Sequence, residues 1–257
     1  MPSPAPTHRR AARVVLAVVT GVVALCGVTP AAPAGAAPAD CGLADVEVQF
    51  ICATYTAVAG RTASEADVAY WEPKLPASRT FFVATVARSS EGRHLVVDRY
   101  YSRFYEAGPT PADHQFWGPL VTEPNGLRKL EAALLANQDR TVDSFVTNAF
   151  SSQLAREPSE SELEYWTERA DATTRNKVAA ELSNTLEVRR ARVGGAYLND
   201  LGYAPAEASR AYWAERLRTG TSYLDVRIAL RASPDAYASP RTCPAAAAPQ
   251  VVALCPS

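Results

Sequence analysis

Residues 156–166 read Arg156-Glu157-Pro158-Ser159-Glu160-Ser161-Glu162-Leu163-Glu164-Tyr165-Trp166. Proline disfavours helical backbone in the residue before it, so Pro158 ends one helix and can precede the next. Ser159 and Glu162 have the spacing of a capping box. The hydroxyl accepts from a free backbone N–H, and the carboxylate sits in the positive first turn. Trp166 therefore stands about two turns into a helix that opens at Ser159.

The same pattern recurs along the chain. All four tryptophans follow an aromatic residue: Tyr70-Trp71, Phe116-Trp117, Tyr165-Trp166 and Tyr212-Trp213. The steps between them are 46, 49 and 47 residues, in the range of a repeated supersecondary unit. Eight residues before each Trp stand Ala63, Pro109, Pro158 and Pro205. Next come Ser64, Thr110, Ser159 and Ala206, and three further on Asp67, Asp113, Glu162 and Ser209. Three units thus carry the capping signal and the fourth has lost it. Pro111 suits a first helical position.

Further upstream, Ile51, Tyr55 and Ala59 stand four apart, as do Val97, Tyr101 and Tyr105, Val146, Phe150 and Leu154, and Val193, Tyr197 and Leu201. That spacing stacks them on one helix face, so each unit opens with an amphipathic helix. A third apolar stripe follows each Trp: Phe82, Val83, Val86; Leu127, Leu130, Leu134; Val178, Leu182, Leu186; Leu224, Ile228. The expected fold is all-α, with tandem repeats of about three helices each and about twelve helices in total. Units are expected to pack on their sequence neighbours. Trp71, Trp117, Trp166 and Trp213 are the expected core anchors, one per unit.

The N-terminus reads as a secretion signal. His8, Arg9, Arg10 and Arg13 precede an apolar run from Val14 to Val28, short for a membrane span, and Ala34-Gly35-Ala36 matches a small-x-small cleavage pattern. The expected organisation is a signal peptide over 1–36, a disordered lead over 37–48, repeats over 49–93, 94–140, 141–189 and 190–238, and a Pro/Ala-rich, disulfide-pinned tail over 239–257. Signal removal takes three of the 26 basic residues and none of the 27 acidic ones, leaving a net charge of about −4. That balance argues against nucleic acid and against an electrostatic hold on anionic lipid. No later apolar stretch is long enough to cross a membrane. Four cysteines remain: Cys41, Cys52, Cys243 and Cys255. An even count behind a secretion signal points to disulfides, local at the two ends or tying the termini together. Zinc is the rival reading, but no His lies near either pair.

The aromatic pairs read first as core. Neighbours on a helix point about 100° apart, so one ring of each pair can face solvent; Tyr70, Phe116, Tyr165 and Tyr212 are the candidate stacking surface for a sugar. Arg61 and Arg156 precede the second helix in two units and read as a buried ion pair or carbonyl clamp, or else as an exposed anion site. No acidic loop has the ligand rhythm of a calcium site, and no metal or cofactor is expected. The His-Glu-x-x-His and Gly-x-Ser-x-Gly patterns are absent from the sequence, and no catalytic residue is assigned.

The early Tyr, the Gly-Arg or Arg-x-Pro turn and the Tyr-Trp pair resemble the bacterial "domain of unknown function 4214" family. The residues that carry this are Tyr55, Gly60-Arg61 and Tyr70-Trp71; Arg156, Pro158, Tyr165-Trp166 and Glu187; Gly202, Pro205, Tyr212-Trp213, Gly220, Ser222 and Ser233. The second unit departs most, with Phe116 for Tyr and no Gly-Arg before Pro109. The family is similar in turn to phycobilisome linker domains, which are helical assembly modules. The resemblance implies helical bundles, an interaction role and no catalytic residues. Together these readings describe a secreted, extracellular or cell-surface protein with no enzymatic activity. Its partner is another protein or a cell-envelope glycan; the alternatives are a carbohydrate-binding module and a secreted hydrolase of unrecognised type.

Overall fold

The computed structural model describes Cys41 and residues 45–238, with 76, 106, 139 and 140 excepted. The expected signal peptide, most of the lead and the tail, with Cys243 and Cys255, lie outside the described residues. The chain divides after Ala36, and every helix described belongs to the second unit. It is all-helical: α1 Val46–Ala59, α2 Glu65–Trp71, α3 Arg79–Arg88, α4 Ser90–Phe104, α5 Pro111–Leu120, α6 Gly126–Ala136, α7 Val142–Leu154, α8 Glu160–Ala172, α9 Arg175–Leu182, α10 Leu186–Leu201, α11 Glu207–Arg218, α12 Tyr223–Arg231 and α13 Pro234–Ala238. A 3₁₀ turn over Glu72–Lys74 continues α2.

Local chemistry sets the helix starts. Full capping boxes open α2 (Ser64 with Asp67), α5 (Thr110 with Asp113, Pro111 in the first turn) and α8 (Ser159 with Glu162). Ala206 opens α11 with no side-chain cap. Gly60 and Gly202 end α1 and α10 in the left-handed conformation, and Ala155 does the same after α7 at φ 56°, a backbone that ordinarily favours glycine.

Several expected boundaries move. Asp45 accepts from Val48 N at 3.0 Å as the cap of α1, so the helix starts at Val46, inside the expected lead. The boundaries at 93/94 and 189/190 fall inside α4 and α10. Ser89 and Thr185 cap these helices through Gly92 N (3.2 Å) and Val188 N (3.3 Å). Polar residues that read as the end of one unit are thus the start of the next helix. Leu186, expected in the third stripe, opens α10 and is exposed. The helices that carry Trp166 and Trp213 run for 13 and 12 residues.

The apolar stripes are buried: Ile51, Tyr55, Val97, Tyr101, Val146, Phe150, Val193 and Tyr197 on α1, α4, α7 and α10, and Phe82, Leu130, Val178 and Leu224 on α3, α6, α9 and α12. Packing is not confined to sequence neighbours. Pairs form between α1 and α4, α7 and α10, and α6 and α9, and also between α3 and α12 and between α1 and α13. Helix α12 is buried on most of its circumference, including Leu224, Val226, Ile228 and Leu230, and one neighbour cannot cover such a helix. Polar contacts follow the same closure. Arg88 pairs with Asp225 at 2.5 Å, and the Tyr237 hydroxyl donates to Glu47 at 2.5 Å.

Two carboxylates are built into this core. Asp200 accepts from Arg227 Nε and Nη2 at 2.9 and 2.7 Å, with the two side chains 0% and 5% exposed. Arg227 Nη2 also donates to the Ala57 carbonyl of α1 (3.2 Å), and Arg231 donates to the Asp200 carbonyl (3.1 Å) and Thr54 Oγ1 (3.2 Å). Burial pushes the Arg227 pKa down, but the Asp200 charge and its hydrogen bonds, with Tyr223 and Tyr100 adding, together outweigh it and raise it. The second hub is Glu131 of α6, ion-paired with Arg192 of α10 and accepting from Ser183 Oγ at 3.4 Å.

Candidate functional site

The four rings that precede tryptophan face solvent. Tyr70, Phe116, Tyr165 and Tyr212 are 56–57% exposed, which corrects the reading of these pairs as core. The helical turn explains it: the Trp takes the inward direction and the preceding ring is left about 100° away. Each exposed ring meets the following Trp edge to face, at centroid distances of 4.9, 4.8, 5.0 and 5.0 Å. That geometry suits the ring quadrupoles. It also fixes the orientation of each exposed ring. Lys74 Nζ lies 3.5 Å from the Tyr70 centroid and donates to the Tyr70 carbonyl, so one face of that ring is covered. Phe81, 62% exposed, adds an apolar surface 6.1 Å from Trp71.

The tryptophans differ in depth. Trp71 is 5% exposed and donates from Nε1 to the Tyr55 hydroxyl at 3.1 Å. Trp117, Trp166 and Trp213 are half-buried and pack against the core from its edge. Trp71 is the anchor with the largest share of its ring out of water.

Arg61 and Arg156 form matching clamps. Arg61 donates to Asp67 (2.7 Å), to Glu91 (3.1 and 3.2 Å) and to the Thr62 carbonyl (3.1 Å). Arg156 donates to Glu162 (2.8 Å twice), to Glu187 (2.9 Å twice) and to the Glu157 carbonyl (3.1 Å). Each guanidinium also covers an aromatic ring, Tyr55 at 4.5 Å and Phe150 at 4.9 Å. The ion-pair and carbonyl-clamp readings are both present. The pairs are not buried, however, with the arginine side chains 39% and 37% exposed. Their donors already meet carboxylates, so neither arginine serves as an anion site. The Arg156 guanidinium and the Ser159 N–H hold the Glu162 carboxyl down to about 2.

His94 and His114 stack at 4.2 Å, and His114 Nε2 meets Asp98 at 2.6 Å. Among the described residues no group of three or more His, Cys, Asp or Glu could hold a metal ion, and no helix is long and apolar enough to cross a membrane. Cys41 and Cys52 are joined by a disulfide that ties the chain before α1 to the middle of that helix.

One cavity was not anticipated. It lies between the start of α6, the α9–α10 connection, α10 and the α11–α12 connection, and its polar wall includes Asn125, Arg128, Asn184, Arg189, Arg192 and Tyr223. It holds about 360 Å³ of open space, mouth included, while the centre of a water-sized group can range over only about 30 Å³. A sharp turn makes this wall. At Gly126 a Cβ would stand 1.7 Å from the Leu120 carbonyl oxygen, so only glycine fits there. Burial, reinforced by the nearby Arg192 charge for Arg128 and by Arg218 for Arg189, lowers both pKa values.

No protein family, curated protein or solved structure matches the chain.

Proposed function

We propose that this protein is a secreted, non-enzymatic helical-repeat interaction module that works at the cell envelope and binds through its exposed aromatic rings. The observation that carries the reading is the exposure of Tyr70, Phe116, Tyr165 and Tyr212 at one recurring position. A ring kept only for folding gains most when buried, about 1.5–3 kcal/mol for a Phe-sized side chain. Four rings held outward and braced edge-on by tryptophan fit recognition better than packing. Secretion is supported by the N-terminal sequence and by the Cys41–Cys52 disulfide, since disulfides persist in oxidising compartments. The four-unit repeat and the kinship with the "domain of unknown function 4214" family are part of the same proposal. They are supported by the three capping boxes and the two arginine clamps at matching positions.

The test is co-sedimentation of the oxidised protein with intact envelopes of its host. Saturable pelleting is expected. It should fall at least about tenfold in affinity when Phe116, Tyr165 and Tyr212 are changed together to Ser, the scale of losing one or two stacked rings, with little change in the unfolding midpoint. No pelleting, or pelleting indifferent to those substitutions, would sink the reading. The open ring faces also favour a carbohydrate ligand, and retention of pelleting on protease-treated envelopes would support that over a protein partner.

A further inference from the structure

We propose that the cavity beside α10 is a binding site for a small oxyanion, a phosphate or carboxylate group, held by Arg128 and Arg189. The argument begins with charge. Three guanidiniums line the cavity; Arg192 is ion-paired with Glu131, while its Nη1 donates to the Ser183 carbonyl at 2.8 Å, and Glu215 acts on Arg189 only as a nearby charge, without an ion pair. Arg128 makes no hydrogen bond or ion pair with any described residue. Arg189 donates only to Asn184, through the carbonyl and Oδ1.

Burial makes this imbalance costly. Arg189 is 9% exposed and its Nε has no hydrogen-bond partner. A buried charged donor left without an acceptor is unfavourable, and a folded protein relieves this by pairing or by binding an anion. Its neighbours suit such a ligand. Asn125, Asn184, Thr221 and Tyr223 bring neutral hydrogen-bonding groups to the same cavity. Helix α6 starts in its wall with no side-chain cap on the first turn, where the helix dipole is positive. The planar, forked donors of arginine match a carboxylate or phosphate group rather than a spherical halide. Size sets the other bound, because an interior this narrow takes a compact group and not a nucleic-acid strand or a whole sugar chain. The inference is independent of the aromatic surface.

The experiment is isothermal titration calorimetry of the full, oxidised chain with inorganic phosphate and separately with succinate, at constant ionic strength with chloride as the balancing anion. One of the two should bind saturably, with Kd below about 1 mM. Arg128→Gln should weaken it at least about tenfold, the scale of one charge-assisted hydrogen bond. Arg128 is half-buried and unpaired, so this variant should unfold at the parent midpoint. Arg189→Gln should weaken binding further and, being buried, serves as a second arm only if it remains folded. Phosphate binding indicates a phosphorylated ligand and succinate binding a carboxylated one, and either supports the site. Absence of heat with both, or binding unchanged in Arg128→Gln, overturns it. Envelope pelleting should be the same for Arg128→Gln and the parent, which separates failure of this site from failure of the aromatic surface.

Discussion

Replacing Asp200 by Asn keeps the side-chain shape and removes one charge from a place with almost no access to water. The Asp200 and Arg227 side chains are 0% and 5% exposed and share two hydrogen bonds of 2.9 and 2.7 Å. Arg227 remains tethered to the Ala57 carbonyl, so it cannot swing out to solvent without opening the contact between α12 and α1. Two further arginines feel the Asp200 charge. Burial pulls both Arg99 and Arg231 down to about 10, with Arg227 adding to the effect and Asp200 opposing it. One carboxylate therefore steadies three cations. Removing one member of a buried pair costs about 3–5 kcal/mol, against a total of about 5–15 kcal/mol for a typical domain. With a urea slope of about 2–3 kcal/mol per molar, the midpoint should fall by roughly 1–2 M. The assay is equilibrium urea unfolding of the full, oxidised chain, followed by tryptophan fluorescence and circular dichroism. Arg227→Met supplies the second arm. A neutral, packed pair can equal a buried ion pair in stability, so Asp200→Asn with Arg227→Met should cost less than the two single changes added, by about 1–3 kcal/mol. A midpoint shift under about 0.3 M for Asp200→Asn, or additivity within about 0.5 kcal/mol, would refute the reasoning.

Trp71→Ala should cost about 3–5 kcal/mol, because the ring is buried and its Nε1 is bonded to Tyr55; Trp166→Ala, at a half-buried ring, should cost less, and equal unfolding midpoints for the two would contradict the difference in depth. The arginine clamps predict an acid limb. Glu162 is held near 2 by Arg156 and Ser159; burial would raise Asp67, but Arg61 and Ser64 override it and hold it below its usual range. A depressed folded pKa gives stability that is present above the unfolded value and lost as pH falls through the folded one, here from about 4.5 towards 2. Both clamps are more than a third exposed on the arginine side, so solvent screening limits each to about 1 kcal/mol or less. Arg156→Gln should make the loss of stability over that pH range shallower, and identical pH profiles for variant and parent would exclude the clamp as its source.

The helices were legible where their signals are local. Ser159 with Glu162, or Thr110 with Asp113, settles a helix start within four residues, and the Ile51–Tyr55 and Val97–Tyr101 spacings settle which face is buried. Boundaries failed where one residue type serves two purposes. Ser89 and Thr185 are polar, which suits the end of a unit, and hydroxylated, which suits a cap; only the bonds to Gly92 and Val188 decide between them. Closure of the last helices on the first was not legible, because no local signal separates a neighbour-only array from one in which α12 lies on α3. The contact rests on pairs such as Arg88 with Asp225, 137 residues apart.

The polar core shows how far periodicity reaches. Arg227 and Arg231 each stand three residues after a buried apolar side chain, Leu224 and Ile228, so the register of α12 places both on its inward face. Glu131 sits likewise beside Leu130 and three residues before Leu134. Register can say that a charge is directed inward; it cannot say what meets it, since Arg192 reaches Glu131 across 61 residues and Arg227 reaches Asp200 across 27. The cavity is harder still to foresee. Arg128, Arg189 and Tyr223 come from three helices, and each alone reads as an ordinary residue in a helical first turn. A charge that a core must bury but leaves without a carboxylate becomes visible only when every partner has been placed. Arg227 and Arg192 find theirs inside the fold, and Arg189 does not. Arg231, buried deeper still, also keeps one nitrogen without a partner, but it is Arg189 that lines a cavity a ligand can enter.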